Sequence, residues 1–500
     1  MKHDYTRHQP RSLARQGSIV LVLLLLLSLL ARGRAAADDG QKAAEDDPDK
    51  ARTVKLVLSP VAEPRPALRY QLLPGMLDRK PGNAAVMYNK AIIMLLDRLS
   101  NQTAQAKSEW EKMCDSLDVP LAQFPRDEAR KTLEDFKYVL DEVSLAALRE
   151  RCDWELPIRE RNFISLLLPE LQRLRDLGRL LALRARLQIA EGRVDDALHT
   201  LQSGFALGRN AARGPTLIHG LVGIAICQMM SQQLQELLQQ PGAPNLYWAF
   251  TTLPQPLIDL RPGIETEMNM LYLSFPALRQ LNDTMHSPAY WQHLLDELEA
   301  SVTEGLGMQL PKAGLRPLLT ILAIKGYPTA RDGLIAQGRP RAEVEAMPVA
   351  QVLMLYTMQT YNQERDEWFK WLYVPYWQAV KGMEEVKKKF VSEGRSKEVV
   401  PLASLLLPAV HGLAGASARN ERGIAALRTV EALRIYAAAH EGRLPEKLAD
   451  ITAVPVPIDP MTGQAFTYHK TGETAVLESP PPPGRTPRDY GLRYEITMQH

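Results

Sequence analysis

The sequence contains little of what defines a specialised class of protein. Its three cysteines in 500 residues, with no Cys-x-x-Cys pair, exclude a disulfide-built scaffold and a cysteine-ligated zinc site. Glycine and proline, at 30 and 36 residues, are too few for a low-complexity chain. The 60 basic residues are matched by 58 acidic ones, and this balance argues against nucleic acid as a partner.

Sequence signatures of catalysis are also missing. The motifs HExxH, GxSxG, GxxxxGK[ST] and GxGxxG do not occur. Beyond residue 37 no two histidines lie three or four positions apart, so no helical pair of metal ligands is predicted. His219 lies in an apolar run and is interpreted as a hydrogen-bonded core residue. We therefore predict no catalytic residue, no metal site and no cofactor, while an enzyme built from long-range contacts stays open.

Residues 1–37 have the pattern of a secretory signal peptide. Four basic residues within 1–17 precede the uncharged run IVLVLLLLLSLL at 19–30, and three alanines follow at 35–37. A helix of this length spans about 18 Å, less than the roughly 30 Å hydrocarbon core of a bilayer. We expect cleavage after Ala37 and export to the periplasm or the medium. The alternative is an uncleaved anchor, helped by Arg32 and Arg34, and only this alternative predicts membrane contact.

The positive charge of the chain lies mostly in this N-terminal segment. Six of the 60 basic residues and one of the 58 acidic residues fall within 1–37. The remaining chain carries 54 basic against 57 acidic side chains, a net charge of −3. Residues 38–50 then read DDGQKAAEDDPDK, an acidic stretch with few apolar side chains, which predicts a disordered linker.

The rest of the chain has the periodicity of helices. From about residue 83 to residue 441, apolar residues recur at helical spacing with breaks at proline and glycine. This pattern predicts a mainly α fold, an irregular array of stacked antiparallel helices, with a helical body at 51–418. Only residues 53–60 in this body read as a short strand. Residues 480–500 are rich in proline at their start and are predicted to be a tail.

One helix pair resembles a known repeat unit. Small and large packing residues fall at the family's spacing at Ala185, Gly192, Ala197, Leu201 and Gly204. Residues 178–211 therefore resemble one tetratricopeptide helix pair, which implies a local hairpin of two helices. The sequence contains no second copy at that period, and a tetratricopeptide array needs about three repeats.

The C-terminal region resembles a different family. A helix, a GRLP turn and an Asp-Pro turn precede short strand-like segments, and the matching residues are Tyr436, Gly442, Leu444, Pro445, Asp459, Pro460, Gly463 and Tyr468. This arrangement resembles the C-terminal half of type II secretion pseudopilins. The resemblance implies that residues 419–479 form a helix packed on a small antiparallel sheet. The stripe Ala426, Val430, Leu433 and Ala437 should face that sheet, with Leu427 at its edge.

Four further stretches resemble a group of large exported helical proteins of planctomycete bacteria. They are residues 70–91, 152–160, 243–254 and 341–352. The resemblance implies export and a helical class, and it implies no activity.

Two groups of residues are candidates for a disulfide and for a binding surface. Cys114 and Cys152 lie near predicted helix ends and are the expected disulfide pair, whereas Cys227 lies in an apolar run. An unusual density of aromatic residues suggests a surface that stacks on sugars or anchors a partner, and its candidates are Trp368, Trp371, Tyr373, Tyr376 and Trp377. The alternative for these aromatic residues is a packed core.

Together these features suggest an exported helical scaffold or binding protein of the cell envelope. Its expected partner is a protein or peptide held in a groove between helix pairs. The alternative is a hydrolase of a cell-envelope polymer, with acids brought together from distant helices. The residues that line the largest cavity should distinguish the two, because hydrolysis needs paired acids and an aromatic platform.

The signal-peptide interpretation predicts a mature chain that begins at Asp38. Mass spectrometry of the N-terminal peptide from fractionated producing cells checks this expectation. An intact Met1 in the cytosolic fraction would contradict export, and an intact chain in the membrane pellet would support the anchored alternative.

Overall fold

The computed structural model describes residues 51–100, 104–159, 168, 170–282, 284–306, 316–394, 397–400, 402–482 and 485–499. The predicted signal peptide at 1–37 and the predicted linker at 38–50 lie outside these residues. Within the described residues the chain is mainly α, as the periodicity predicted, with two small sheets.

The first half of the helical body contains eleven of the described helices. They are α1 (Ala84–Ser100), α2 (Ala104–Asp115), α3 (Arg126–Asp135), α4 (Lys137–Ala147), α5 (Glu170–Ala190), α6 (Val194–Ala211), α7 (Leu217–Leu238), α8 (Tyr247–Thr251), α9 (Arg261–Met268), α10 (Met270–Ser274) and α11 (Pro288–Leu306). Several of these helices begin beside a proline, and several end close to a glycine, because neither residue is well suited to the interior of a helix.

Seven further described helices follow. They are α12 (Arg316–Ala336), α13 (Arg341–Ala346), α14 (Val349–Phe369), α15 (Tyr376–Lys389), α16 (Leu402–Leu406), α17 (Pro408–Ala439) and α18 (Pro487–Tyr490). The strands are β1 (Thr53–Leu58), β2 (Lys80–Asn83), β3 (Arg149–Arg151), β4 (Thr467–Thr471), β5 (Thr474–Ser479) and β6 (Leu492–Met498).

Helices α5, α6 and α7 form a tightly packed group at the centre of the body. The turn between α5 and α6 is made by Gly192 at φ 73°, so the expected helical hairpin is present. Helix α7 packs on both helices, and α6 and α7 approach closely through glycine. A Cβ atom at Gly208 would lie 2.6 Å from Cys227 Sγ and 2.9 Å from the Gly223 carbonyl oxygen. Any larger residue at Gly208 would force α6 and α7 apart.

Helix α7 also has the length and apolar composition of a membrane-spanning segment, and it is the single such helix in the described part of the chain. Of its apolar window, 56% is buried inside the protein. The burial matches the packing of α7 on α5 and α6, as expected for a core helix.

The C-terminal sheet has four strands in the order β1-β6-β5-β4. The predicted hairpin after Asp459 is present as the antiparallel pair β4 and β5. The sheet is larger than expected, because β6 pairs antiparallel with β5 and parallel with β1. The predicted tail at 480–500 therefore ends in a strand inside the sheet. Strand β1, which was predicted to belong to the helical body, is one of the two edge strands of this sheet. Alternating burial of Tyr494, Ile496 and Met498 explains why β6 is held there.

Helix α17 connects this sheet to the rest of the protein. Its predicted stripe is buried as expected, with Ala426, Val430, Leu433 and Ala437 all fully inaccessible to solvent. Leu427 was expected at the edge and is instead equally buried, because α17 also contacts α7 and α8. One hydrophobic core runs from β1 through the central helices to β6. The unit predicted at 419–479 therefore shares its core with the body, and its helix already begins at Pro408.

A buried ion pair on α17 ties three distant segments together. Arg434 Nη1 donates to Glu431 Oε1 at 2.8 Å, and both side chains are inaccessible to solvent. Arg434 also donates to the carbonyl oxygens of Ser59, at 3.0 Å, and Ala243, at 2.9 Å. Glu431 Oε2 accepts from the backbone N–H of Leu246 at 2.6 Å. The exit of β1 and the loop before α8 are thereby fixed to α17.

The expected disulfide is not formed, because the two cysteines lie against different elements. All three cysteines are free thiols. Cys114 lies near Arg179 and Asp176 of α5, whereas Cys152 lies near Arg213 and accepts from the backbone of Ala85. Burial raises the pKa of both thiols to about 12.

The ion pair predicts a large loss of stability when its cation is removed. Arg434→Leu leaves the Glu431 carboxylate buried without its cation and should lower the free energy of unfolding by about 3–5 kcal/mol. The matched control is Arg443→Leu, which breaks an exposed ion pair with Glu441 and should change stability little. Urea unfolding followed by circular dichroism measures both. Equal, small effects of the two substitutions would show that the buried pair does not hold the core together.

Candidate functional site

A large cavity lies where α6 ends and α9 begins. It has a volume of about 900 Å³ and lies between residues 158–159, the turn at 213–215, α9 and the segment 269–281. Its described lining includes three arginines, Arg159, Arg213 and Arg279. Glu265 is the single acidic residue of that lining, and Tyr272 is its aromatic residue.

The local sequence explains how the segments that line this cavity come together. The Thr216 hydroxyl caps the first turn of α7 by accepting from the His219 backbone N–H, so α7 starts directly after the turn. Helix α9 lies close over this turn through Gly263, where a Cβ atom would be 3.0 Å from the Thr216 carbonyl. Pro262 lies in the first turn of α9, where its fixed backbone angle suits the start of a helix.

A second cavity adjoins the first. It has a volume of about 420 Å³, and its described lining includes four arginines, Arg79, Arg149, Arg209 and Arg213. Glu150 is its one acidic lining residue in the described part of the chain. Because Arg213 lines both cavities, we treat them together as the arginine cleft, with a larger and a smaller cavity.

Positive charge in the arginine cleft is not balanced by nearby acids. Arg209 lies in the last turn of α6 and Arg213 in the turn that follows, and their like charges repel. Burial lowers the pKa of Arg209, and the charges of Arg213 and Arg79 lower it further. Within the described residues no carboxylate forms an ion pair with Arg209 or Arg213. No described carboxylate therefore competes with an anion for these two guanidinium groups.

The two acids of α9 point in different directions. Glu265 is exposed and lines the larger cavity, whereas Glu267 is partly buried and lies near Tyr361 of α14. Burial raises the pKa of Glu267 to about 7. The two carboxyl groups do not converge, because residues two positions apart point about 200° apart around a helix.

His219 lies beside the cleft as a core residue, as the sequence predicted. Its side chain is inaccessible to solvent, and Nδ1 lies 2.7 Å from the Thr216 hydroxyl. Nε2 lies 3.8 Å from Glu170 Oε1 and makes no hydrogen bond. Burial lowers the pKa of His219 to about 4, so the imidazole is neutral at pH 7.

The aromatic candidates are divided between core and surface. Trp368 and Tyr376 are buried, and the ring of Trp368 packs edge-on against Phe390 at 6.0 Å. Trp377 is 41% exposed and covers the turn at Gly463, where a Cβ atom would lie 2.5 Å from the indole ring. Tyr373 is exposed, and Trp371 packs against Gly382. None of the five is among the described residues that line the arginine cleft.

The arginines of the cleft were not recognised in the sequence. They come from positions spread over 79–279 and are brought together only by the packing of distant segments. The one local signal is the pair Arg209 and Arg213 in LGRNAARG, two arginines four positions apart with no acid between them.

No protein-family model, curated protein or solved structure matches this chain. The function is therefore argued from the chemistry of the arginine cleft.

The raised pKa of Glu267 predicts a specific pH dependence of stability. Its pKa is raised in the folded state, so its contribution to stability is complete below about pH 4.5 and is lost as the pH rises to about 7. Glu267→Gln should remove this loss, which amounts to at most about 3 kcal/mol. Urea unfolding at pH 4.5 and at pH 8 measures the difference.

The control for this experiment is Glu265→Gln, two positions away on the exposed side of α9. It should keep the pH dependence of the wild-type protein. A Glu267→Gln variant with an unchanged pH dependence would show that this carboxyl group does not titrate as described.

Proposed function

We propose that this protein is an exported binding protein that holds an acidic segment of another protein or peptide in the arginine cleft. The observation that carries the proposal is the charge of the cleft, whose described lining has six arginines and two glutamates. Export rests on the signal-peptide pattern of residues 1–37.

The chemistry of the lining suits carboxylates. A guanidinium group donates two parallel hydrogen bonds to one carboxylate, and such charge-assisted bonds are about twice as strong as neutral ones. Apolar residues alternate with the arginines, among them Pro262, Leu273 and Leu278 in the larger cavity. A peptide with acidic and apolar side chains would therefore find partners for both.

The size of the cleft suits an extended segment. Pockets for single small molecules measure about 300–1,000 Å³. The larger cavity alone measures about 900 Å³, and the smaller adds about 420 Å³ beyond Arg213. Several consecutive residues of a peptide fit this volume, whereas a single small molecule would leave part of it to water.

The lining favours binding over hydrolysis of a cell-envelope polymer. Glycoside hydrolysis uses two carboxyl groups on either side of the bond that breaks. The described lining offers Glu265 in one cavity and Glu150 in the other, while the aromatic residues at 368–377 lie outside both.

The proposal predicts that acidic peptides bind and that arginines of the cleft are required. A fluorescein-labelled peptide rich in aspartate and leucine should bind, and its amide counterpart rich in asparagine should not. The double substitution Arg213→Gln with Arg279→Gln should weaken binding about 10–100-fold, because each arginine contributes charge-assisted hydrogen bonds. Fluorescence anisotropy at low and at physiological salt measures the affinity.

The matched control is Arg443→Gln, an exposed arginine outside the described lining of the cleft. It should bind the acidic peptide like the wild-type protein. Equal binding of acidic and amide peptides, or equal loss in both variants, would contradict the proposal.

A further inference from the structure

Two large apolar side chains protrude into solvent at the rim of the smaller cavity. Met76 is 87% exposed and Leu77 is 97% exposed, in a single 3₁₀ turn. Their chain neighbours Gly75 and Arg79 both line the smaller cavity. Leu68, which is 55% exposed, lines the same cavity. We call Met76 and Leu77 the apolar tip.

The apolar tip is held outward by a defined hydrogen-bond pattern. The Asp78 carboxylate accepts from the Gly75 backbone N–H at 3.2 Å, which closes the turn. Arg79 Nε donates to the Pro74 carbonyl oxygen at 3.2 Å, and the Lys80 N–H donates to the Leu148 carbonyl oxygen at 2.8 Å. These bonds fix the base of the turn on both sides, and the two apolar side chains point into solvent.

Cationic groups surround the base of the tip. Arg79 and Lys80 follow Asp78 and are exposed. Arg209 and Arg213 lie inside the smaller cavity, and no carboxylate of the described residues neutralises either of them. Of the acids nearby, Asp78 is used within the turn, and Glu150 is the single acid of the described cavity lining.

We propose that the apolar tip and the smaller cavity form a docking site for an anionic phospholipid bilayer. The phosphate of a lipid head group is bound by Arg79 and Arg209, and Met76 and Leu77 insert among the acyl chains. The lipid phosphate takes the smaller cavity of the arginine cleft, so it competes with a peptide that extends past Arg213. Docking itself does not depend on the peptide proposal. Docking to the bilayer does not require the N-terminal apolar segment at residues 19–30.

The combination of groups selects a lipid over free phosphate. Guanidinium groups bind phosphate through paired hydrogen bonds whether it is free or part of a lipid. Free phosphate would leave Met76 and Leu77 in water, whereas a bilayer buries both side chains, and removing apolar surface from water is favourable. Cationic side chains at an anionic membrane surface add to this attraction.

A local fluorescence probe tests the proposal. Leu77→Cys, labelled with an environment-sensitive dye, should show a blue-shifted and brighter emission with vesicles that contain phosphatidylglycerol. Vesicles of phosphatidylcholine alone should produce little change, because they carry no net charge. The matched control is Ile324→Cys on α12, whose native side chain is 72% exposed, and its dye should not respond. Cys152 and Cys227 are buried, and the partly accessible Cys114 is replaced by serine in both labelled variants.

Substitutions in the two cavities separate this proposal from the peptide site. Arg79→Gln with Arg209→Gln should reduce the response of the labelled tip to vesicles at least five-fold. Arg279→Gln lies in the larger cavity only and should leave the vesicle response unchanged while it weakens peptide binding. Inorganic phosphate should compete with vesicles only at concentrations far above that of the lipid.

Three results would overturn the docking site. The first is an unchanged emission of the dye at position 77 when anionic vesicles are added. The second is an equal response of the dye at position 324. The third is binding of inorganic phosphate to the protein with an affinity equal to that of the vesicles, which would assign the smaller cavity to free phosphate.

Discussion

The buried pair of Glu431 and Arg434 is the constraint on which the rest of the structure depends. Two charges removed from water are costly, and only complete hydrogen bonding offsets that cost. Here Arg434 reaches the carbonyl oxygens of Ser59 and Ala243, and Glu431 reaches the N–H of Leu246. The exit of β1, the loop before α8 and helix α17 are therefore positioned together, and the sheet is joined to the helical core.

The arginine cleft depends on the same close packing. Glycines at positions 208 and 223 let α6 and α7 approach, and Gly263 lets α9 lie over the turn between them. These approaches bring Arg209, at the end of α6, to the smaller cavity and Arg213, in the turn that follows, to both cavities. Uncompensated like charges destabilise the folded chain, so their convergence fits a site whose ligand supplies the opposite charge.

Local patterns in the sequence predicted the local structure well. The strand at 53–58, the hairpin after Asp459 and the buried stripe of α17 follow from periodicity and turn residues. Strand β6 was missed, because it follows a proline-rich stretch and pairs with β1 from the other end of the chain. The arginine cleft was missed for the same physical reason: its residues meet only through long-range packing. Of the aromatic candidates, Trp368 is part of a core that one sequence could not distinguish from a binding surface.

Hydrogen–deuterium exchange with and without an acidic peptide tests the central claim most directly, because bound ligand slows local opening of the segments that hold it. The arginine cleft predicts slower exchange in residues 209–217 and 261–281, with no change in the exposed aromatic segment at 368–377. Slower exchange at 368–377 with none in the cleft would contradict this account and return the binding site to the aromatic cluster.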